Sequence, residues 1–273
     1  MEQLIITAGL TGSRISKAQT PHIPVAADEI VRSGVEAWCA GAAVLHVHVR
    51  DPETGLGTQD LAVFTPVVAA LRAETDAVLC VTTSGIPGRN LPVEERLTPL
   101  ALRPEMASFD AGSLNTPAGV FLNPPEFLDA LAARARELDV KPELECFDAG
   151  HVATCLRYLA DGKLSGPAHF QFVLGAPYGM PATAAALVHL VGMLPPDATW
   201  SVIGIGRAQT PMAAMAIAMG GHARVGLEDN IYYRRGELAT SNAQLVERVA
   251  RLASELGREV ASPAEARRIL SLA

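Results

Sequence analysis

The 273-residue chain has few cysteines, few charges and no excess of basic residues. Its four cysteines, Cys39, Cys80, Cys146 and Cys155, form no CxxC pair. That excludes a CxxC redox or metal motif, and the expectation is reduced core thiols in a cytoplasmic protein. Lysine and arginine number 22 against 29 aspartates and glutamates, a net charge of -7. An acidic balance argues against a nucleic-acid partner, which needs a basic face, but leaves room for a local basic pocket. No run of about 18 apolar residues is present, so no membrane span is expected. The start, Met1-Glu2-Gln3-Leu4, lacks the basic segment and apolar stretch of a secretory signal. No linker and no low-complexity stretch interrupts the chain, and one domain over 1–273 is expected.

What is present is a core-rich pattern, 49% hydrophobic and 19% charged. Short β-rich runs alternate with helical ones. Strands are expected at Leu4–Ala8, Val44–Val49, Ala77–Thr82, Met106–Asp110, Glu143–Phe147, Phe170–Leu174, Thr199–Ile203 and Ala223–Leu227. Helices are expected at Ala26–Ala40, Leu61–Ala73, Pro92–Leu100, Pro125–Leu138, His151–Asp161, Ala182–Leu194, Pro211–Met219 and Asn242–Leu256. Alternation of this kind implies parallel strands joined by crossover helices. Eight units in about 250 residues fit an α/β (β/α)₈ TIM barrel. A doubly wound sheet is the competitor. It calls for a GxGxxG turn after its first strand, where this chain has Gly9-Leu10-Thr11-Gly12. Ser262-Pro263 opens an extra C-terminal helix as cap and first residue.

The second strand reads Val44-Leu45-His46-Val47-His48-Val49. Side chains alternate along a strand, so His46 and His48 share a face. Paired imidazoles suit a divalent metal such as zinc, although His-x-His also serves as a hydrogen-bonded polar pair. In a barrel the carboxyl ends of the strands form the reactive mouth. Thr7, Thr11 and Arg14 follow the first strand, Thr82-Thr83-Ser84-Gly85 ends the third, and Ser108 and Asp110 lie on the fourth. Glu143 and Glu145 share a face of the fifth, where one of them could orient a ligand histidine as an acceptor behind it rather than react. Arg224 and Glu228 share a face of the eighth, with Gly226 between them. His46, His48 and Glu228 would make a zinc site with one open position, the catalytic pattern. Arg224 could hold a carboxylate by a bidentate pair, and Asp229 is the nearest candidate general base. Glu228-Asp229-Asn230 could also be a simple cap or turn. Gly204-Ile205-Gly206-Arg207 has the look of a phosphate cradle.

Several segments together resemble the β-keto acid cleavage enzymes. They are Leu45–Arg50, Pro104–Ala107, Gln171–Gly175, Gly204–Arg207, Gly220–Asn230 and Ser241–Val246, in one order over almost the whole chain. The resemblance implies a zinc-dependent TIM barrel, usually a homo-oligomer and here a tetramer. It implies condensation of a β-keto acid with acetyl-CoA to give acetoacetate and a new acyl-CoA. His46, His48 and Glu228 match the zinc ligands, Arg224 the arginine for the substrate carboxylate, and Asp229 the acid/base. Thr82 and Ser108 match hydroxyl-bearing pocket positions, Glu143 is counted with the substrate-binding residues, and Gly204, Gly206 and Arg207 are taken for CoA. Members that cleave an amino-bearing keto acid carry a glutamate at the position of Arg14. An arginine there repels an ammonium, so the expected substrate has a neutral or anionic distal end, such as 3-oxoadipate or 3-oxoglutarate. Alternatively, Arg14 turns to solvent or meets a CoA phosphate. The rival readings are a CoA-independent zinc aldolase, lyase or hydrolase on the same barrel, and a barrel with zinc as a structural staple.

Overall fold

A computed structural model describes residues 2–84 and 91–272. Eight parallel strands close into a barrel in sequence order. They are β1 (Ile6–Gly9), β2 (Val44–Val47), β3 (Val78–Val81), β4 (Met106–Asp110), β5 (Lys141–Cys146), β6 (His169–Leu174), β7 (Thr199–Gly204) and β8 (His222–Val225). The barrel closes where β1 pairs with both β2 and β8, Thr7 lying opposite Val44 and Arg224. The helices between strands are α1 (Ala27–Cys39), α2 (Leu61–Glu74), α3 (Val93–Leu97), α4 (Pro125–Leu138), α5 (Ala149–Ala160), α6 (Ala184–Val191) and α7 (Gln209–Met219). Helices α8 (Asn242–Glu255) and α9 (Pro263–Leu270) follow β8. The (β/α)₈ barrel and the extra C-terminal helix expected from the sequence are both present.

Alternation along each strand sorts the core into two regions. Leu45 and Val47 on β2, Leu79 and Val81 on β3 and Phe170 and Phe172 on β6 face outward and are buried under the helices. Full burial of each such side chain contributes about 1.5–3 kcal/mol. The inward-facing residues are largely polar and also buried, among them His46, Ser108, Glu143, Glu145, Gln171, Ser201 and Arg224. Helix α9 plugs the opposite, amino-terminal end. Ala266, Ile269 and Leu270 pack there with Ile5, Val44, Val78 and Met106. A capping box starts this helix. The Ser262 hydroxyl accepts from the Glu265 amide at 3.3 Å, and the Glu265 carboxylate accepts from the Ser262 amide at 2.8 Å.

Three departures from the expected elements bear on the site. The second strand breaks at His48, and Val49–Arg50 instead pairs antiparallel with Gly57–Thr58. The eighth strand ends at Val225, not Leu227, because Gly226 turns the chain with φ +148°. A Cβ at Gly226 would lie 2.0 Å from the Gly9 carbonyl oxygen, so only glycine fits. Two short hairpins were not expected: Leu114–Thr116 with Gly119–Phe121, and Tyr232–Arg234 with Glu237–Leu238. Among the described residues no helix is long and apolar enough to cross a membrane.

Candidate active site

The site is built where β1, β2 and β8 end together. His46 lies on β2 and His48 just past it, with ring centroids 5.1 Å apart. The turn at Gly226 returns the chain over β1, and the Glu228 amide donates to the Gly9 carbonyl at 3.3 Å. Asn242, the first residue of α8, fixes this turn. Its side chain accepts from the Leu227 amide at 2.7 Å and donates to the Leu10 carbonyl at 2.9 Å. Glu228 is thereby aimed at the histidines. Its Oε1 is 3.2 Å from His48 Nε2 and 3.7 Å from His46 Nε2. So Glu228 reaches the site by a turn, not by the strand alternation expected for it.

These three ligand atoms lie within 4.8 Å of one another. A tetrahedral zinc with bonds of ~2.0–2.2 Å places its ligand atoms ~3.3 Å apart, and two nitrogens with one carboxylate are a catalytic zinc set. Glu228 Oε2 is buried without a hydrogen-bond partner among the described residues, so a carboxylate oxygen remains for a cation. Burial, reinforced by nearby Arg224, lowers His46 well below the ordinary histidine range and keeps it a neutral ligand. Burial alone would raise Glu228, but His48, Arg224 and His46 hold it well below the usual carboxylate range.

Arg224 sits at the centre of an acidic cage and is 2% exposed. Its Nε donates to Asp229 Oδ2 at 3.2 Å, Nη1 to Glu145 Oε1 at 3.2 Å and Nη2 to Glu228 Oε1 at 2.9 Å. Glu143 Oε2 lies 3.8 Å from Nη1. Burial pushes Asp229 up to about 6 against the pull of Arg224. Burial also raises Glu143 and Asp110, and burial followed by repulsion from Asp110 holds Glu145 well above the carboxylate range. Ser84 Oγ donates to Asp110 Oδ2 at 2.8 Å.

A cavity of about 190 Å³ opens above these groups. His46, His48, Glu228, Arg224 and Asp229 form one end, and Phe121, Phe147, Val173 and Ile203 form an apolar wall. Arg14 lines the cavity as well, and its Nη2 donates to Thr116 Oγ1 at 2.9 Å. Buried Arg50 holds the loop that carries Arg14, donating to the Thr11 carbonyl at 2.7 Å and the Ile15 carbonyl at 3.0 Å.

A family model described as beta-keto acid cleavage enzyme matches residues 3–272. The chain belongs to the β-keto acid cleavage enzyme family. It is 44% identical over 274 residues to the 3-keto-5-aminohexanoate cleavage enzyme of Fusobacterium nucleatum, covering 100% of this chain and 99% of the relative. It is 41% identical over 272 residues to the 3-oxoadipate:acetyl-CoA acetyltransferase of Cupriavidus necator, covering 98% of this chain and 94% of the relative. A solved ternary complex of ObcA with C4-CoA adduct and oxalate has a TM-score of 0.79 and 20% identity. It covers 94% of this chain and 68% of that one, a likeness of fold. The resemblance read from the sequence motifs is borne out.

The structure brings His46, His48, Glu228, Arg224, Asp229 and Arg14 of this family member to one cavity. Other candidates lie elsewhere. Among the described residues, Thr82, Ser108 and Glu143 do not line the cavity. Thr82 Oγ1 accepts from the Ser84 amide and Ser108 Oγ from the Thr83 amide, both at 3.0 Å, so these hydroxyls hold the turn after β3. Glu143 lies beneath the cavity, its Oε2 3.5 Å from Cys80 Sγ. The run Gly204–Arg207 is no open cradle. The Ile205 amide donates to the Leu174 carbonyl at 2.9 Å and the Gly206 amide to the Asp229 carbonyl at 2.8 Å. A Cβ on Gly204 would meet the Ala208 carbonyl oxygen at 2.2 Å, and Arg207 is exposed and not among the cavity-lining residues. Arg224 lines the cavity, and each of its three nitrogens also donates to a protein carboxylate, which leaves one N–H on Nη1 and one on Nη2. Gly85 lies outside the described residues.

Sequence reading missed the hairpin whose Leu114, Thr116 and Phe121 cover the cavity. The signal was present: two short β-prone runs flank Pro117-Ala118-Gly119, a turn composition.

Proposed function

We propose that this chain is a zinc-dependent, acetyl-CoA-using β-keto acid cleavage enzyme for keto acids with a neutral or anionic distal group. The observation that carries this reading is one cavity with two imidazoles and a carboxylate at one end and Arg14 on its wall. Relatives named for an acetyl-CoA transfer on 3-oxoadipate and on 3,5-dioxohexanoate support the reaction class. Zinc held by His46, His48 and Glu228 would supply a Lewis acid for the keto acid's carbonyl.

The chain's own residues supply the proton traffic. Asp229, buried and raised to about 6, is poised to take the proton from C2 of the keto acid near neutral pH. The C2 carbanion then attacks the acetyl-CoA thioester carbonyl, a C–C bond forms and the CoA thiolate leaves. The thiolate adds to the original C3 ketone, the C2–C3 bond breaks, and Asp229 returns its proton to C2. Acetoacetate and a new acyl-CoA result, with atoms and charge balanced. Arg224 serves by holding Asp229 and Glu228 in place and by offsetting their charge in a buried setting.

A cavity of about 190 Å³ suits a small keto acid and leaves the CoA nucleotide at the mouth. Arg14 opposes an ammonium and favours a carboxylate at the distal end of the substrate. The same reading takes the protein to be a cytoplasmic tetramer, which light scattering tests. The deciding experiment for Arg14 compares wild type and Arg14→Glu on 3-oxoadipate, 3-oxoglutarate and 3-keto-5-aminohexanoate. Wild type is expected to prefer the dicarboxylates and Arg14→Glu the amino-bearing acid. An unchanged profile rejects Arg14 as the selector.

A further inference from the structure

His46 has two ring nitrogens that face opposite ways. Nε2 faces Glu228 at the cavity, and Nδ1 faces Glu143 Oε2 at 3.8 Å beneath it. Nδ1 is buried and has no hydrogen-bond partner among the described residues. A buried ring nitrogen left unpaired is unfavourable by about 1–3 kcal/mol, so this atom calls for an acceptor or a cation. His46, Cys80 and Glu143 also form a compact group, with ligand atoms within 4.8 Å of one another. One imidazole is thus shared by two sets of metal-competent residues. Either it serves one metal through Nε2 and keeps a proton on Nδ1, or it bridges two metals.

Two observations favour the first arrangement. The Arg224 guanidinium lies 3.8 Å from Glu143 Oε2 and opposes a second cation there. Cys80, Glu143 and His46 are all buried, and among the described residues neither Cys80 nor Glu143 lines the cavity, so an ion there would have to shed its water. The Cys80 thiol is 3.5 Å from the same Glu143 oxygen, close enough to donate to it. Glu143 is therefore an acceptor held from two sides and aimed at a buried, unpartnered nitrogen of a candidate ligand.

We propose that Glu143 is the positioning residue of the metal centre: it accepts the Nδ1–H of His46, fixes that tautomer and so presents the Nε2 lone pair to the metal. This rests on the reading of His46, His48 and Glu228 as ligands. A carboxylate behind a ligand histidine orients the ring and raises its basicity, and losing such a partner lowers metal affinity about 10–100-fold. Glu143 then touches neither substrate nor metal, in keeping with its place below the cavity.

The test has two readouts that do not depend on turnover. Zinc affinity is measured by chelator competition for wild type, Glu143→Gln, Glu143→Met and His48→Ala. Glu143→Met, which has no acceptor, is expected to lose about 10–100-fold. Glu143→Gln keeps a carbonyl oxygen and is expected to lose distinctly less. A role limited to balancing the Arg224 charge predicts equal losses for the two variants and would overturn the proposal. Two zinc ions per wild-type chain, with one lost in Cys80→Ala, would also overturn it, because Glu143 would then be a ligand. Failure of the ligand reading shows differently, as wild-type affinity retained in His48→Ala. The second readout, nitrogen chemical shifts of ¹⁵N-histidine-labelled, metal-free protein, decides the tautomer even in that event. Wild type is expected to carry its His46 proton on Nδ1, and Glu143→Met to move it toward Nε2. A wild-type proton on Nε2 contradicts the proposal.

Discussion

Replacing Gly12 with alanine tests how closely the ligand set is framed. Gly12 has φ +59°, and a Cβ there would lie 2.7 Å from Glu228 Cγ and 3.2 Å from its Cδ. Carbon atoms in contact sit at about 3.5–4.0 Å, so the Glu228 side chain must retreat by roughly 1 Å. Cγ lies mid-chain, and moving it moves the carboxylate. Metal–ligand distances tolerate about 0.2 Å, so the displaced carboxylate leaves the set. Zinc affinity is expected to fall at least about tenfold, the low end for disturbing a ligand's support. The left-handed backbone adds a separate destabilisation of about 1 kcal/mol. Gly162→Ala isolates that second effect, because Gly162 has φ +66° and, among the described residues, nothing within 4 Å of a Cβ. The assays are chelator competition for zinc and urea unfolding in EDTA. Both variants should lose about 1 kcal/mol of backbone stability, and only Gly12→Ala should lose zinc affinity. An affinity within about twofold of wild type in Gly12→Ala, or an equal loss in Gly162→Ala, would refute the reasoning.

Arg224→Met strands Glu145, Glu228 and Asp229 without their cation, and should destabilise the metal-free protein by about 3–5 kcal/mol in urea; a loss below about 1 kcal/mol contradicts the cage. His222 is pushed down to about 3 by burial, then by Arg258, and its Nδ1 accepts from the Ile5 amide. The unfolded chain therefore binds this proton first as pH falls. Stability is complete above pH ~6.5 and declines toward pH ~3, and His222→Gln should flatten that slope in acid-unfolding curves. Arg96 donates to the Thr83 and Leu122 carbonyls and to Asn123, and lies 3.5 Å over the Phe127 ring. Lysine cannot reproduce that planar fork, so Arg96→Lys should loosen the Ser84 and Phe121 walls and raise KM for the keto acid more than it changes kcat.

The barrel was legible because its signal is repeated. Eight apolar runs alternate with eight helical patterns, and the Ser262-Pro263 start marks α9. His46 and His48 were legible from alternation alone. Glu228 was legible as a residue but not as a geometry. Strand periodicity fails at Gly226, and the carboxylate returns through a turn whose shape depends on the close approach of Gly9. The roles of Thr82 and Ser108 were hidden because the direction in which a hydroxyl is spent depends on which amide lies beside it. The Gly204–Arg207 cradle failed for a similar reason, since its amides donate to Leu174 and Asp229. Arg224 was foreseen at the site, but its cage draws on Glu143 and Glu145 of β5, far away in sequence, and spacing within β8 cannot reveal them.

The most direct measurement is acyl-CoA formation, followed by mass spectrometry, from a panel of β-keto acids with acetyl-CoA and zinc-loaded protein. Acetoacetate and a new acyl-CoA are expected from neutral or anionic keto acids, and none from the amino-bearing acid. Acyl-CoA from the amino-bearing acid alone would discard Arg14 as selector. No acyl-CoA from any member of the panel, with zinc bound, would contradict acetyl-CoA-dependent cleavage and point to a CoA-independent lyase or hydrolase.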